Sequence, residues 1–352
     1  MKLIDSEILK TRKASIDIYR GIAILLVILF HFDHLLSIGF IGVDLFFVIS
    51  GYLVSRVLLK EIKSNQNINW KSFFIKRVTK ILPSYYFFII GGTIIARLLL
   101  LESNPEQVIP LSELPRYLFF YLNYNMTFSW SFELAWSLCV EEHFYIFLVL
   151  FFLIISSVSL ISKKIKLLKI SLLSFIAISI LFKIAGHFYG WDTYSATHMR
   201  MDALFLGVLL SFQEINEKKV SSNSKNYTLI GIVILSFTIT AFYFTNESSF
   251  FRQSFFHALI PIGFYFLIRG TLFSNFKAFS FVRVLAYYSY NWYLWHALIG
   301  FLILNKLELP IFIALPLYLI TTFVMAVLTT KFVEEPILKS RKKIMQLLSS
   351  KK

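Results

Sequence analysis

The residues best suited to do chemistry are four ionisable side chains inside long apolar stretches: His31, Asp44, Glu141 and His296. Ionisable groups inside a membrane-spanning helix are costly, so they mark functional sites by default. The helical rise places His31 roughly 9 Å below the outer end of its helix, and the other three at about the same depth. The sequence therefore predicts a site in the outer half of a helix bundle, where His31 acts as general base. An imidazole, with a reference pKa of roughly 6.5, suits that role.

Either carboxylate, Asp44 or Glu141, could orient this imidazole and stabilise its protonated form. Simpler interpretations exist for the same residues. His296 could be a hydrogen-bonded packing residue, and Asp44 could accept hydrogen bonds from backbone N–H groups where its helix begins. His31, Asp33 and His34 have the types and spacing of metal ligands, but no second histidine cluster or His-Glu-x-x-His pattern accompanies them. We therefore expect no metal site.

A group of basic residues lies at the other end of the same helices. Arg20 shares one helix face with His31, roughly 16 Å away along the axis. Arg77 and Lys80 are one turn apart and run into the third apolar stretch. Together with Arg20 they could bind the phosphates of a cytoplasmic ligand. The alternative is ordinary anchoring of a helix end by positive residues on the inner side.

The elements that position these residues are predicted to be membrane helices. Of 352 residues, 57% are hydrophobic and only 16% charged, whereas a soluble domain carries about a quarter charged residues. A span needs roughly 20 mostly apolar residues. Ten stretches qualify: 16–37, 38–59, 74–98, 136–160, 165–185, 197–213, 227–244, 255–273, 283–304 and 309–332. The least apolar is 197–213, which contains Arg200 and Asp202.

We therefore expect an all-α polytopic membrane bundle of about ten transmembrane helices. Residues 1–340 would form the membrane domain and residues 341–352 a short basic cytoplasmic tail.

The net charge of +15 is explained by topology. With the N-terminus in the cytoplasm, most of the 35 Lys and Arg residues fall in cytoplasmic segments, as the positive-inside rule requires. The outer half keeps only Arg97, Arg116, Lys183, Arg200, Arg252 and Lys306. The sequence therefore predicts a multi-pass protein of the cell membrane with both termini in the cytoplasm, and nucleic acid is not needed as a partner.

Seven short motifs follow one another along the chain. They are Arg20-x10-His31, Gly42-Val-Asp44-Leu-Phe-Phe-Val-Ile-Ser-Gly51, Arg77-Val-Thr-Lys80-Ile-Leu-Pro83, Trp136-Ser-Leu-Cys-Val-Glu141-Glu-His-Phe-Tyr145, Arg200-Met-Asp202-Ala-Leu, Tyr288-Ser-Tyr-Asn-Trp-Tyr-Leu-Trp295-His296 and Phe332-Val-Glu-Glu-Pro336. In this order they resemble the acyltransferase-3 family, integral-membrane acyltransferases that modify sugars and small hydroxylated molecules. The likeness covers residues 14 to about 340. Each motif alone is weak evidence, but seven in order are specific.

The resemblance implies an acyl-coenzyme A donor, typically acetyl-CoA, that is approached from the cytoplasm. It assigns the reactive role to His31 and donor handling to Arg20. Arg77 and Lys80 correspond to an Arg-x-x-Arg pair of the family. Lysine at the second position keeps the charge but lacks the bidentate geometry of a guanidinium. Glu141 corresponds to the glutamate of the family's Trp-Ser-Leu-x-x-Glu motif.

Other residues of these motifs are candidates for substrate contact. Tyr145 lies one turn from Glu141 and is our candidate for the group that stabilises the developing oxyanion. The further candidate substrate-binding residues are Arg200, Asp202, Trp295 and His296.

The function implied by the resemblance is O-acylation of a carbohydrate, such as surface polysaccharide or a lipid-linked glycan. Many relatives carry a hydrolase-like soluble domain at the C-terminus. Because the present sequence ends at residue 352, we expect the membrane part or a separate partner to complete transfer. The acceptor, the acyl group, the oligomeric state and the choice between direct transfer and an acyl-histidine intermediate do not follow from the sequence.

Two other functional classes are compatible with the same residues. A transporter or flippase could use buried histidines and carboxylates as a proton relay, although no pair of matching interrupted helices marks two halves. The other class is a non-catalytic subunit of a polysaccharide assembly and export system, which would require the membrane-spanning helices but no catalytic residues.

Overall fold

The computed structural model describes residues 12–64, 67–124, 130–158, 160–216, 224–274, 280–307 and 309–349. Within these ranges the chain is helical and forms no β-strand. Several of the helices are long and apolar enough to cross a membrane. The predicted all-α polytopic membrane bundle is therefore confirmed, and the protein is a multi-pass membrane protein. The cytoplasmic location of both termini and the boundary at residue 340 stay predictions.

The helices are numbered here in chain order. They are α1 (Ala14–His31), α2 (Ile41–Lys63), α3 (Trp70–Leu100), α4 (Leu114–Leu118), α5 (Trp130–Glu133), α6 (Ala135–Ser156), α7 (Ile161–Tyr189), α8 (Thr197–Asn216), α9 (Ser224–Tyr243), α10 (His257–Thr271), α11 (Ser280–Lys306), α12 (Ile311–Thr329) and α13 (Glu335–Ser349). Two π-helical segments, Phe251–Phe256 and Thr330–Glu334, directly precede α10 and α13.

All ten predicted spans fall on helices, and two of these helices are more polar than the others. By length and hydropathy, eight segments of the described chain could cross a membrane. The predicted spans 197–213 and 283–304 correspond to α8 and α11, which carry Arg200, Asp202 and His296. These three side chains are buried against neighbouring helices. Protein contacts therefore stabilise α8 and α11 in the bundle.

The first predicted span, 16–37, is longer than the helix that forms. Helix α1 ends at His31, and Asp33 and His34 adopt the left-handed region with φ of 48° and 52°. That conformation is unfavourable inside a right-handed helix, so the chain turns before α2 begins. His31 is therefore the last helical residue of α1 and does not lie below a further turn of helix.

Helices α2 and α8 approach each other closely because glycines lie at their contact. A Cβ added to Gly51 would lie 1.9 Å from the carbonyl oxygen of Leu204, and Gly207 faces α2 in the same way. Small residues permit this close approach of helix backbones in membranes. The contact brings Asp44 of α2 beside Arg200 of α8.

Candidate active site

Three cavities adjoin one another along the bundle. We call them the basic cavity, of about 590 Å³, the central cavity, of about 150 Å³, and the histidine cavity, of about 650 Å³. The basic and central cavities share Arg20, Arg77 and Lys80 in their walls. The central and histidine cavities share Val43 and Tyr293. The two groups of residues singled out in the sequence therefore lie at opposite ends of one series of cavities.

Among the described residues, the wall of the basic cavity contains eight cationic side chains and one carboxylate, Asp17. The cations are Arg12, Lys13, Arg20, Arg56, Lys76, Arg77, Lys80 and Arg341. Such an excess of positive charge attracts anionic ligands.

Some of these cations are paired within the protein. Arg12 contacts Asp17 at 2.8 Å, and Lys13 contacts Glu214 at 2.6 Å. Burial lowers the pKa of the Lys13 ammonium, although Glu214 opposes this effect.

Four of the basic residues have no ion pair with any carboxylate of the described residues: Arg20, Lys76, Arg77 and Arg341. The Arg20 guanidinium instead donates a hydrogen bond of 3.1 Å to Ser289 Oγ. These charges are available to a bound anion. Arg20 and Arg77 lie where the basic and central cavities meet.

Lys80, in contrast to these four residues, is paired with a carboxylate. It forms an ion pair with Glu334, which also accepts a hydrogen bond of 2.9 Å from Asn291 Nδ2. Glu334 belongs to the closing motif of the sequence, and its pairing with Lys80 was not foreseen. This pair joins α3 to the π-helical segment before α13.

Glu141 lies in the wall of the central cavity, with Arg20 and Arg77. It accepts hydrogen bonds from Tyr145 OH and from Ser50 Oγ, the latter at 3.1 Å. The Arg77 guanidinium lies 5.7 Å from the centre of the Tyr145 ring. The expectation that Glu141 lies beside His31 is therefore wrong, because depth along a helix does not determine which cavity a side chain faces.

His31 and His296 are brought together, as their depths predicted. Their ring centres are 4.7 Å apart, in an edge-to-face arrangement. His296 is fully buried, whereas His31 lines the histidine cavity. The Nδ1 atom of His31 lies 2.9 Å from the carbonyl oxygen of Val27. Because a carbonyl only accepts, this Nδ1 carries the proton and the basic lone pair is on Nε2.

Asp44 contacts Arg200 at 2.6 Å, and both side chains are buried. Among the described residues it also lies 4.0 Å from His257 Nδ1. The expectation that Asp44 orients His31 is not met, since this carboxylate faces Arg200 and His257. The alternative that it serves only backbone donors at the start of α2 is also not met.

The other candidate substrate-binding residues have partners within the protein. Asp202 pairs with Lys183 at 2.5 Å, and both are buried. Trp295 packs against Phe87 and Phe88, with ring centres 5.8 and 5.2 Å away. None of the three cavities has Arg200, Asp202 or Trp295 in its wall. Their positions indicate that they hold the bundle around the site.

Sequence reasoning missed His257, which lines the histidine cavity. No motif surrounds it, and only its position in an apolar stretch could have drawn attention to it. It directly follows the π-helical segment Phe251–Phe256, and such segments are frequent at functional sites. Groups of three or more residues able to hold a metal ion are absent from the part of the chain that the structure describes.

Comparison with known families decides the class of the protein. The profile of a family described as an acyltransferase domain matches residues 13–331. The chain belongs to the acyltransferase-3 family. This acyltransferase is 27% identical to the O-acetyltransferase OatA of Staphylococcus aureus, over 96% of the chain and 59% of that protein. It is 30% identical to the putative peptidoglycan O-acetyltransferase YrhL of Bacillus subtilis, over 92% of the chain and 54% of the relative.

A further relative is the peptidoglycan O-acetyltransferase OatA of Listeria monocytogenes, 30% identical over 93% of the chain and 56% of its own length. The acyltransferase thus spans little more than half the length of these curated relatives. No solved structure matches it.

Proposed function

We propose that this acyltransferase moves an acetyl group from cytoplasmic acetyl-CoA to a hydroxyl of a cell-surface carbohydrate, with peptidoglycan or its lipid-linked precursor as the acceptor class. Two curated relatives are named as peptidoglycan O-acetyltransferases, one of them as putative. The observation that carries the proposal is the series of adjoining cavities between unpaired cations at one end and His31 at the other.

The basic cavity fits the phosphates of coenzyme A. Arg20, Lys76, Arg77 and Arg341 provide positive charge, and none of the four forms an ion pair with a described carboxylate. Arginine suits phosphate because its planar fork can donate two parallel hydrogen bonds. Lys80 adds charge at the same wall, but Glu334 already neutralises it. We therefore assign donor binding chiefly to Arg20 and Arg77.

The central cavity suits the uncharged arm of the donor. Its volume of about 150 Å³ is small, and its wall is mostly apolar, with Phe46, Leu53 and Ile81 among its residues. An extended chain entering from the basic cavity would pass Glu141 and reach Tyr293, at the boundary with the histidine cavity. Its thioester would then lie near His31.

Transfer at that boundary follows from the chemistry of a thioester and an alcohol. The acceptor oxygen attacks the carbonyl carbon while His31 Nε2 removes the hydroxyl proton. The tetrahedral intermediate then breaks its C–S bond, and the departing thiolate takes the proton from the imidazolium. The Val27 carbonyl holds the His31 ring by Nδ1, which is the orienting role that the sequence had suggested for a carboxylate. Tyr145 donates to Glu141 and is therefore a weaker candidate for oxyanion stabilisation.

Sealed membrane vesicles of both orientations test the proposal. Acetyl-CoA labelled in the acetyl group is added outside, with an N-acetylglucosamine–N-acetylmuramic acid disaccharide present on both sides. We expect label in the disaccharide only when the donor is added to the cytoplasmic face. Absence of labelled carbohydrate in both preparations would overturn the proposal. Movement of carbohydrate across the membrane without labelling would instead favour a carrier.

A further inference from the structure

His257 occupies a position in the histidine cavity that the mechanism above does not use. Its side chain is 13% exposed, and it lines the same cavity as His31. Around it are aromatic rings: Tyr194 at 5.1 Å and Phe40 at 6.0 Å between ring centres. Aromatic walls with a few fixed polar groups are typical of small-molecule sites, and the volume of about 650 Å³ lies in their usual range.

On the side away from the cavity, His257 lies against a buried network of charged side chains. Its Nδ1 faces Asp44 Oδ2 at 4.0 Å, and neither atom has a hydrogen-bond partner among the described residues. Arg200 contacts the other oxygen of Asp44 at 2.6 Å and neutralises its charge. Lys183 donates a hydrogen bond of 2.8 Å to the backbone carbonyl of His257. The network thus holds the backbone of His257 through Lys183 and places its Nδ1 on the side of Asp44.

This arrangement determines which ring nitrogen can serve a ligand. A carboxylate only accepts hydrogen bonds, so the neutral tautomer with the proton on Nδ1, the nitrogen that faces Asp44 at 4.0 Å, is the favoured one. Nε2 is then the acceptor available to a hydroxyl in the cavity. Hydrogen bonds between active-site groups are often long in the absence of substrate and shorten when the substrate is bound.

We propose that the histidine cavity is the acceptor site and that His257, positioned by Asp44, accepts a hydrogen bond from a sugar hydroxyl next to the one that is acylated. This inference rests on the proposed function and adds a substrate-binding residue to it. His31 removes the proton of the reacting hydroxyl, while His257 binds the neighbouring hydroxyl and sets which position of the sugar faces the thioester. The rings of Tyr194 and Trp136, both in the cavity wall, offer faces for the apolar side of a sugar ring.

Two substitutions separate binding of the acceptor from chemistry. His257→Ala removes the hydrogen bond, and His257→Gln keeps a polar group of similar reach. The assay uses the full chain in membranes, labelled acetyl-CoA and the N-acetylglucosamine–N-acetylmuramic acid disaccharide as probe. It measures KM for the disaccharide, KM for acetyl-CoA and the slow hydrolysis of acetyl-CoA by water. His198→Gln is the matched control, because His198 stacks on Tyr124, meets Phe182 edge to face and lines none of the three cavities.

For His257→Ala we expect kcat/KM for the disaccharide to fall about tenfold to a hundredfold, the cost of an unmade hydrogen bond in a desolvated site. KM for acetyl-CoA and hydrolysis by water should stay at the wild-type values, and His257→Gln should regain part of the loss. The inference is overturned if the disaccharide parameters do not change. It is also overturned if both KM values rise and hydrolysis slows together in His257→Gln, since that result indicates a structural role. Failure of the wild type to label the disaccharide would refute the proposed function itself.

Discussion

Replacing Lys183 with methionine tests the buried charge network that joins α7, α8 and α10. Lys183 Nζ lies 2.5 Å from Asp202 Oδ2 and 2.8 Å from the carbonyl oxygen of His257. The side chains of Lys183 and Asp202 are 0% and 1% exposed. Methionine has nearly the same length, so the change removes a charge and two hydrogen bonds with little change in packing. Leaving one member of a buried pair without its partner costs about 3–5 kcal/mol.

The measurement is the thermal unfolding midpoint of the protein purified in detergent. Lys183→Met should lower the midpoint by several degrees relative to wild type. Adding Asp202→Asn should restore part of the loss, because the stranded carboxylate is removed. Lys166→Met is the matched control: it lies on the same helix but is exposed, and such changes usually alter stability by less than about 0.5 kcal/mol.

Two results would refute this reasoning. One is a Lys183→Met variant that unfolds at the wild-type temperature. The other is a double variant that is no more stable than Lys183→Met alone, since the penalty would then not come from the unpaired carboxylate.

Three further predictions follow from the site and its packing. Arg77→Ala should raise KM for acetyl-CoA about tenfold or more while kcat changes little, because one charge-assisted hydrogen bond to phosphate is lost; an unchanged KM would remove Arg77 from the donor site. Gly51→Ala should abolish stable insertion or folding, since the new Cβ would lie 1.9 Å from the Leu204 carbonyl oxygen; wild-type expression and unfolding would contradict the helix contact. His296→Gln should lower kcat several-fold by loosening the packing against the His31 ring. A wild-type kcat would show that His296 does not support His31.

Much of the architecture was predictable because the bilayer imposes a simple length and polarity requirement on helices. The predicted spans all fall on helices. Their ends are less exact: α1 ends at His31 where left-handed residues follow, and a run of apolar residues gives no signal for that turn. Helices α8 and α11 were identified as mostly apolar stretches, although both are more polar than the other predicted spans.

The sequence predicted which residues meet at each end of the site, but not what the carboxylates contact. His31 and His296 meet, and Arg20 lies with Arg77 at the basic cavity. The partners of the carboxylates could not be predicted, because they depend on rotation of each helix about its axis. Helices that are apolar on all sides give no sequence signal for that rotation. Glu141 therefore turned out to face the central cavity.

His257 and Glu334 were missed for a related reason. His257 lies in the wall of a cavity that several helices form. Glu334 pairs with Lys80, which is distant in sequence. Neither residue carries a local pattern that would distinguish it from an isolated polar residue. Only the tertiary contacts reveal what each can do.

In the proposed mechanism the imidazole of His31 receives the proton of the acceptor hydroxyl while the donor is bound through the basic cavity. The most direct test of this role is the rate of acetyl transfer to carbohydrate by His31→Ala, in membranes where immunoblotting shows wild-type levels of the protein and acetyl-CoA is saturating. We expect the rate to fall about a hundredfold or more, the usual contribution of a general base, with acetyl-CoA binding retained. Turnover within a few-fold of wild type would contradict it.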